Sequence, residues 1–337
     1  MDKILTIVVP TYNMEALLPR CLESLLTRKD RDFLEVLIVN DGSKDHSLDI
    51  ARSYAKRYSS LFVVIDKSNG NYGSCINAAL KVATGKYIKI LDSDDYFDTI
   101  ELTKFVNRLL QTDADVVLTN HTYRWNDYKK EYVNLNYRDG QIVNIDKEIV
   151  KCFFMHDVTY RVDLLKDISY KQTEGISYTD QEWIFYPMCK AVKLLYFNLN
   201  LYQYMLGRDG QTMDEKVFIR NIHVVELLVI DMLLFLKDNK PSLSLARRKY
   251  LENVVKIQMN KIYLIELVLK KKSDLRKSEI EKIEELSFDY DESFYLEFNN
   301  LTYSKIRYVK MYRKGKLFSN FIRTLLINMH KLKEKKQ

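Results

Sequence analysis

The sequence predicts an α/β protein: a mostly parallel sheet flanked by helices, followed by a C-terminal helical region. Three observations carry this. Over roughly the first 120 residues, short β-branched apolar runs alternate with segments of helical spacing. The connections are short and polar, as strand–helix–strand crossovers require in a sheet covered on both faces. After about residue 213 the strand signals stop and long helical patterns take over.

Residues 4–9 form a buried-strand run, and 16–26 follow with helical spacing. A second strand is expected at 34–39, a turn at Asp41-Gly42, and a helix at 47–58. A strand at 62–65, a helix at 74–83 and a strand at 87–91 come next, then a helix at 98–111 and a fifth strand at 114–118. The stretch 123–143 is aromatic and polar with hairpin character. Short helices are expected at 147–154 and 181–190, and short strands at 194–197 and 201–205. Helices at 214–236, 242–271 and 273–286 complete the reading, with Lys240-Pro241 breaking the first from the second. The expected division is an α/β domain over 1–212, a helical region over 213–304 and a basic tail over 305–337.

Composition narrows the function classes. Of 337 residues, 47% are hydrophobic and 29% charged, enough for a sizeable core and too apolar for wholesale disorder. Nine glycines and four prolines exclude collagen-like and Gly/Pro-rich low-complexity chains. The four cysteines, at 21, 75, 152 and 189, form no CxxC pair, so free thiols of a reducing compartment are expected. No apolar stretch reaches the roughly 20 residues of a membrane span, and a cytoplasmic location is expected. Net charge is +7, yet residues 305–337 alone carry eleven Lys/Arg against Glu334. There Phe318, Phe321, Ile322, Leu325, Leu326 and Met329 recur at helical spacing. A basic amphipathic helix of this kind suits the inner membrane surface, or packs its stripe on protein, including a second copy of the chain. Without a nucleic-acid-binding module, nucleic acid is not an expected partner.

Five polar motifs fall where the strands end, and ligands of open α/β sheets bind at the carboxyl ends of strands. Val8-Val9-Pro10-Thr11-Tyr12-Asn13 runs a strand into a turn, with Tyr12 free to stack on a flat ring. Val39-Asn40-Asp41-Gly42-Ser43 puts a carboxylate at a strand end, or is a plain Asp-Gly turn. Asp66-Lys67-Ser68-Asn69-Gly70-Asn71-Tyr72-Gly73 precedes a helix, a place that suits anions. Leu91-Asp92-Ser93-Asp94-Asp95 sets three carboxylates in four residues, an arrangement suited to Mg²⁺ or Mn²⁺ shared with a diphosphate, or is an acidic surface turn. Tyr178-Thr179-Asp180-Gln181-Glu182-Trp183 opens a helix with further carboxylates.

In order and spacing these motifs resemble the family 2 inverting glycosyltransferases of GT-A fold, of the kind that build bacterial polysaccharides and glycoconjugates. The resemblance runs from Ile4 to about Gln211 and is strongest in VVPTYN, VNDGSKD, NGNYGSCINAAL and LDSDD. It implies a nucleotide-diphosphate sugar donor, usually UDP-linked, and a divalent metal, Mn²⁺ or Mg²⁺. It implies that Pro10, Tyr12 and Asp41 hold the base, with Lys67 and Asn69 near the base or diphosphate. Asp92 would face the ribose, and Asp94 would bind the metal. Asp180 takes the place of the catalytic base, although Thr179 stands where many members have Glu, which leaves Glu182 as the alternative. Ile76 stands where many members have Arg. Arg208, in a loop after Tyr202-x-Tyr204, would meet the diphosphate or lie in a plain turn. His156-Asp157 would lie near the acceptor or metal, or be a surface pair.

The implied activity is transfer of a sugar to a hydroxyl of a saccharide or lipid-linked acceptor. One general base and in-line attack make the transfer inverting. A nucleotidyltransferase would need a Gly-rich loop near the N-terminus, and residues 4–20 contain no Gly. The non-enzyme alternative is an inactive relative serving as scaffold or partner.

Overall fold

The computed structural model describes residues 2–27, 31–125, 130–207, 215–270, 274–316, 319 and 323–324. They fall into two compact units, Met1–Asp209 with Ser244–Arg247, and Gly210–Leu243 with Arg248–Gln337.

The first unit is built on a ten-stranded sheet. Its elements are β1 (Leu5–Thr11), α1 (Leu18–Glu23), β2 (Leu34–Asp41), α2 (Ser47–Arg57), β3 (Phe62–Lys67), α3 (Asn71–Leu80), β4 (Tyr87–Ile90) and β5 (Tyr96–Phe97). Then come α4 (Thr99–Leu109), β6 (Val116–Arg124), β7 (Lys130–Val133), β8 (Ile142–Asn144), β9 (Val158–Arg161), α5 (Val162–Asp167), α6 (Asp180–Phe185) and β10 (Lys193–Met205). The strand order is β3-β2-β1-β4-β9-β6-β10-β5, with β7 on β6 and β8 on β10. Strands β3, β2, β1, β4, β6 and β10 run one way. β9 runs against them, wedged between β4 and β6: Tyr87 pairs with Arg161 on one edge and Val116 with Tyr160 on the other.

Strands β1 and β2 are buried along their whole length, because helices cover both faces. Leu5, Ile7 and Val9 alternate onto one face with Val36 and Ile38, where they join Leu18 and Leu22 of α1, Ala51 of α2 and Phe105 of α4. Val8, Leu37 and Val39 turn the other way, and α3 packs against β1 and β2. Burying each such side chain stabilises the fold by roughly 1.5–3 kcal/mol. α4 starts at Asp98, whose carboxylate accepts from the N–H groups of Ile100 and Glu101, both at 3.0 Å.

Several expectations need correction. Pro10 lies inside β1 rather than ending it. Val8 accepts from Leu91 N–H across the β4 edge, and Pro10, two residues on, faces the same side just past the end of β4, so its missing N–H costs no ladder bond. The helix expected at 147–154 is absent: these residues form turns and irregular chain. Its N–H groups go elsewhere, Lys151 N to Tyr137 Oη (3.0 Å) and Phe154 N to Asp157 Oδ2 (2.9 Å), and Ile149 and Phe154 stay exposed. The strands expected at 194–197 and 201–205 are one strand, β10, whose register with β6 shifts between Tyr196 and Tyr202. The helix expected at 181–190 is α6 followed by a single 3₁₀ turn, Pro187–Cys189.

The second unit is helical. Its elements are α7 (Glu215–Arg220), α8 (Ile222–Asn239), α9 (Leu245–Leu264, whose first turn belongs to the first unit), α10 (Lys277–Tyr290), α11 (Glu292–Glu297) and α12 (Tyr308–Arg313). The single helix expected at 214–236 breaks at Asn221, and the one expected at 242–271 ends in a π turn, Ile265–Leu269. Among the described residues no helix is long and apolar enough to cross a membrane, and all four cysteines are free thiols. The amphipathic stripe of the tail lies outside the described residues. Arg323, which is described, is buried and donates to the carbonyls of Glu266 and Lys270.

Candidate active site

The carboxyl ends of β1, β2, β3 and β4 carry four of the five motifs to one edge of the sheet. Tyr12 leaves β1 with 45% of its surface exposed, the state of a ring available for stacking. The turn that follows is zipped to the turn after β2. Asn13, in the left-handed region at φ 53°, accepts from Lys44 N–H, and Glu15 N–H donates to Asp45. Asp41, at the end of β2, is 3% exposed. Its Oδ1 accepts from Lys67 Nζ at 2.5 Å, Gly70 N–H at 2.9 Å and Ser74 Oγ at 3.4 Å. Asn69 donates to the Asp41 carbonyl at 3.0 Å. Asp41, Lys67 and Asn69, which the sequence reading grouped loosely, thus form one bonded cluster.

Gly42 and Gly73 show why these loops need glycine. Gly42 has φ +71°, and a Cβ there would lie 3.0 Å from Asn69 N. A Cβ on Gly73 would lie 2.0 Å from the Thr173 carbonyl oxygen. This contact seats α3 against the strap 172–175, where Asn77 donates to the Gln172 carbonyl and to Glu174, and Gly175 N–H donates to the Gly70 carbonyl.

The acidic turn after β4 is partly buried. Asp92 accepts from Tyr72 Oη at 2.8 Å. Burial, then Asp94 and Asp180, push the Asp92 carboxyl up to about 7, opposed by the Tyr72 bond. Asp95 is fully buried, and burial followed by Asp94 and Asp92 raises it well above the carboxylate range. Its two oxygens accept from Tyr202 Oη and Met205 N–H, each at 2.7 Å. Tyr202 Oη also accepts from Asp92 N–H at 3.2 Å, so β10 is tied to the turn at both ends.

A ligand atom from each of Asp92, Asp95 and His156 lies within 4.8 Å of the other two. Carboxylate oxygens with one imidazole nitrogen suit a divalent cation. Burial, then His121 and Lys89, hold the His156 imidazole well below its ordinary pKa, in the neutral form that ligates. Burial and then mutual repulsion raise Asp92 and Asp95, and a bound cation would offset both, so the residues fit one. Asp94 lies half-buried beside this group and outside it.

Asp180, at the N-terminus of α6, accepts from Gln181 Nε2 at 2.8 Å, and its charge is felt by Tyr72 and Asp92. Glu182 is 4% exposed and occupied: Thr173 N–H and Oγ1 donate to it at 2.8 and 2.6 Å. Ile76 is fully buried, where an Arg would meet apolar core. Arg208 lies outside the described residues. Tyr72 and His156 are the neighbours that sequence reasoning undervalued. Tyr72 stands within the quoted Gly-rich stretch, whereas nothing local to His156 signals that β9 will bring it to Asp92.

The comparisons with known proteins agree with this architecture. The sequence model of Glycosyl transferase family 2 matches residues 6–169. That stretch, just under half of the chain, is similar to glycosyl transferase family 2. Among its relatives, the uncharacterized glycosyltransferase EpsJ of Bacillus subtilis is 37% identical over 117 residues, 35% of this chain and 33% of that one. The poly(ribitol-phosphate) beta-glucosyltransferase of Bacillus spizizenii is 38% identical over 117 residues, 34% of this chain and 18% of that one. These matches span a third or less of the relatives' own length. The crystal structure of S. aureus TarS 1–349 in complex with UDP-GlcNAc superposes with a TM-score of 0.65 at 20% identity, covering 93% of this chain and 92% of that one. The fold is therefore the expected GT-A fold followed by helices.

Proposed function

We propose that the protein is a metal-dependent inverting glycosyltransferase. It moves a sugar from a UDP-linked donor to a hydroxyl of a saccharide or lipid-linked acceptor in surface polysaccharide or glycoconjugate synthesis. The observation that carries this reading is the closeness of Asp92 and Asp180, far apart in sequence: Tyr72 bonds Asp92, and the charge of Asp180 is felt by both. A donor-side carboxylate and a second carboxylate near it are what single-displacement transfer needs. Solved structures of S. aureus TarS with UDP-GlcNAc and with UDP support a uridine nucleotide donor.

In this reading Tyr12 stacks on the base beside Pro10. Asp41 accepts a base N–H through Oδ2, since its Oδ1 is engaged by Lys67, Gly70 and Ser74. Lys67 and Asn69 hold that carboxylate and its backbone in place, and Asp92 faces the ribose. Asp94, beside the Asp92, Asp95 and His156 group, would hold Mn²⁺ or Mg²⁺ with it, and Arg208 would meet the diphosphate. The bound ion supplies Lewis-acid stabilisation of the charge that builds on the leaving diphosphate. Asp180 takes the proton of the acceptor hydroxyl as its oxygen bonds to the anomeric carbon and the sugar–phosphate bond breaks. Attack opposite the leaving group turns an α-linked donor into a β-linkage. The two bonds from Thr173 to Glu182 favour Asp180 as the base. Residues 1–212 form the catalytic domain, and the enzyme works in the cytoplasm, with the basic tail 305–337 touching the membrane face.

A nucleotide-release screen tests the proposal. Purified protein meets UDP-, GDP- and dTDP-sugars with Mn²⁺, Mg²⁺ or EDTA, with and without saccharide acceptors. Metal-dependent release from a UDP-sugar, lost in Asp94→Ala, is expected. Full activity in EDTA, or unchanged transfer in both Asp94→Ala and Asp180→Asn, would overturn it.

A further inference from the structure

We propose that His156 is a ligand of the divalent cation, and that His121 and Asp157 are positioning residues that choose which of its nitrogens faces the carboxylates. This rests on the cation-dependent reading above and extends it to residues outside the acidic turn.

His156 sits just before β9 and places a ligand atom within 4.8 Å of atoms from Asp92 and Asp95. Each oxygen of Asp95 already accepts one hydrogen bond, which leaves each a second lone pair. The imidazole is held in a fixed plane: Tyr204 stacks on it at 4.4 Å and 28°, and Tyr202 meets it edge-on at 4.6 Å. Its backbone is held too. The fully buried Lys89 donates to the carbonyls of His156 and Val158 at 2.8 and 3.2 Å.

Behind His156 lies a second imidazole. His121 and Asp157 are both fully buried, with His121 Nδ1 2.6 Å from Asp157 Oδ1. The carboxylate is an acceptor, so His121 Nδ1 carries a proton, and in the neutral imidazole Nε2 then carries the lone pair. Asp157 is itself anchored, its Oδ2 accepting from Phe154 N–H at 2.9 Å. Among the described residues, His121 Nε2 and His156 Nδ1 are both buried without a hydrogen-bond partner, and their rings are neighbours with centroids 5.6 Å apart. One arrangement answers both orphans: His156 Nδ1–H donates toward His121 Nε2, directly or through one water. That fixes the proton on Nδ1 and leaves the Nε2 lone pair for the cation. A carboxylate behind a histidine sets a metal ligand in this way; here a second histidine extends the chain by one link.

The test uses the full chain and Mn²⁺, alone and with UDP, titrated by electron paramagnetic resonance. Pulsed measurements on wild type with ¹⁵N-histidine should show histidine nitrogen coupled to Mn²⁺. That signal should vanish in His156→Gln, with affinity weakened about tenfold or more. Asp157→Asn and His121→Phe should each weaken Mn²⁺ binding by roughly tenfold while retaining the fold by circular dichroism. Bound Mn²⁺ with no histidine coupling in wild type would overturn the proposal, and this readout needs no variant to fold. Mn²⁺ binding lost in Asp94→Ala but unchanged in His156→Gln would overturn it and leave the cation-dependent reading standing. No Mn²⁺ binding by wild type, with or without UDP, would overturn both.

Discussion

The two oxygens of Asp41 have unequal surroundings. Lys67, Gly70 and Ser74 all bond Oδ1, and none of these bonds reaches Oδ2. Asp41→Asn keeps the shape and loses the charge-assisted bond to Lys67, so calorimetry should find UDP bound about tenfold more weakly. Tyr12→Ala behaves differently. The ring is 45% exposed, so its loss should weaken donor binding several-fold and leave the melting temperature within about a degree. A stability loss equal to that of a core variant would contradict the stacking role. For Asp180→Asn, kcat should fall by about 10²–10⁴ with little change in donor KM. Glu182→Gln should lower stability first, because Thr173 is bonded to that carboxylate. The sequence offered both residues as candidates for the base. The folded strap bears on that choice, because Thr173 bonds Glu182 through both its N–H and its hydroxyl.

At the scale of elements, legibility followed the origin of the order. The strands at 34–39 and 62–65 could be read because continuous apolar runs between turns carry their own signal. β5 and β9, of two and four residues, could not, because partners rather than propensity hold them: β10 for β5, and β4 with β6 for β9. His156 was undervalued for the same reason, since the strand that delivers it was invisible. The helix expected at 147–154 failed the other way, its spacing acceptable but its N–H groups drawn to Tyr137 and Asp157. Helix α3 supplies a test at this scale. In Gly73→Ala the new methyl meets the backbone oxygen of Thr173, which no side-chain rotation can relieve. Substitution should cost about 2 kcal/mol or more and weaken UDP binding, because α3 carries Tyr72 to Asp92. Urea unfolding with and without UDP separates the two effects.

At the scale of the molecule, the helical unit buries a charged cluster that helical periodicity does not announce. Glu226 is fully buried and bonded to Arg276 at 2.9 Å, and Arg276 N–H donates to Glu266. Burial, then Glu266, raises the Glu226 carboxyl from 4.5 to about 7. The folded chain therefore binds this proton more tightly than the unfolded one. Its stabilising contribution is complete below about pH 4.5 and is lost as pH rises toward 7. Melting temperature should fall between pH 5 and pH 8, and Glu226→Gln should flatten that slope. An unchanged slope would show that other groups set it.

The antiparallel strand β9 has a consequence for how such enzymes can be recombined. A chimera that joins the donor-binding half of one relative to the remainder of another cannot be cut simply between β4 and β6. Four residues, Val158–Arg161, close the seam between them, matching Tyr87 to Arg161 on one side and Val116 to Tyr160 on the other. Exchanging 125–155 leaves that seam intact and keeps His121, His156 and Asp157, and such hybrids should express in soluble form and still bind UDP. Exchanging 158–161 alone asks one short strand to fit two foreign edges, and those hybrids should aggregate.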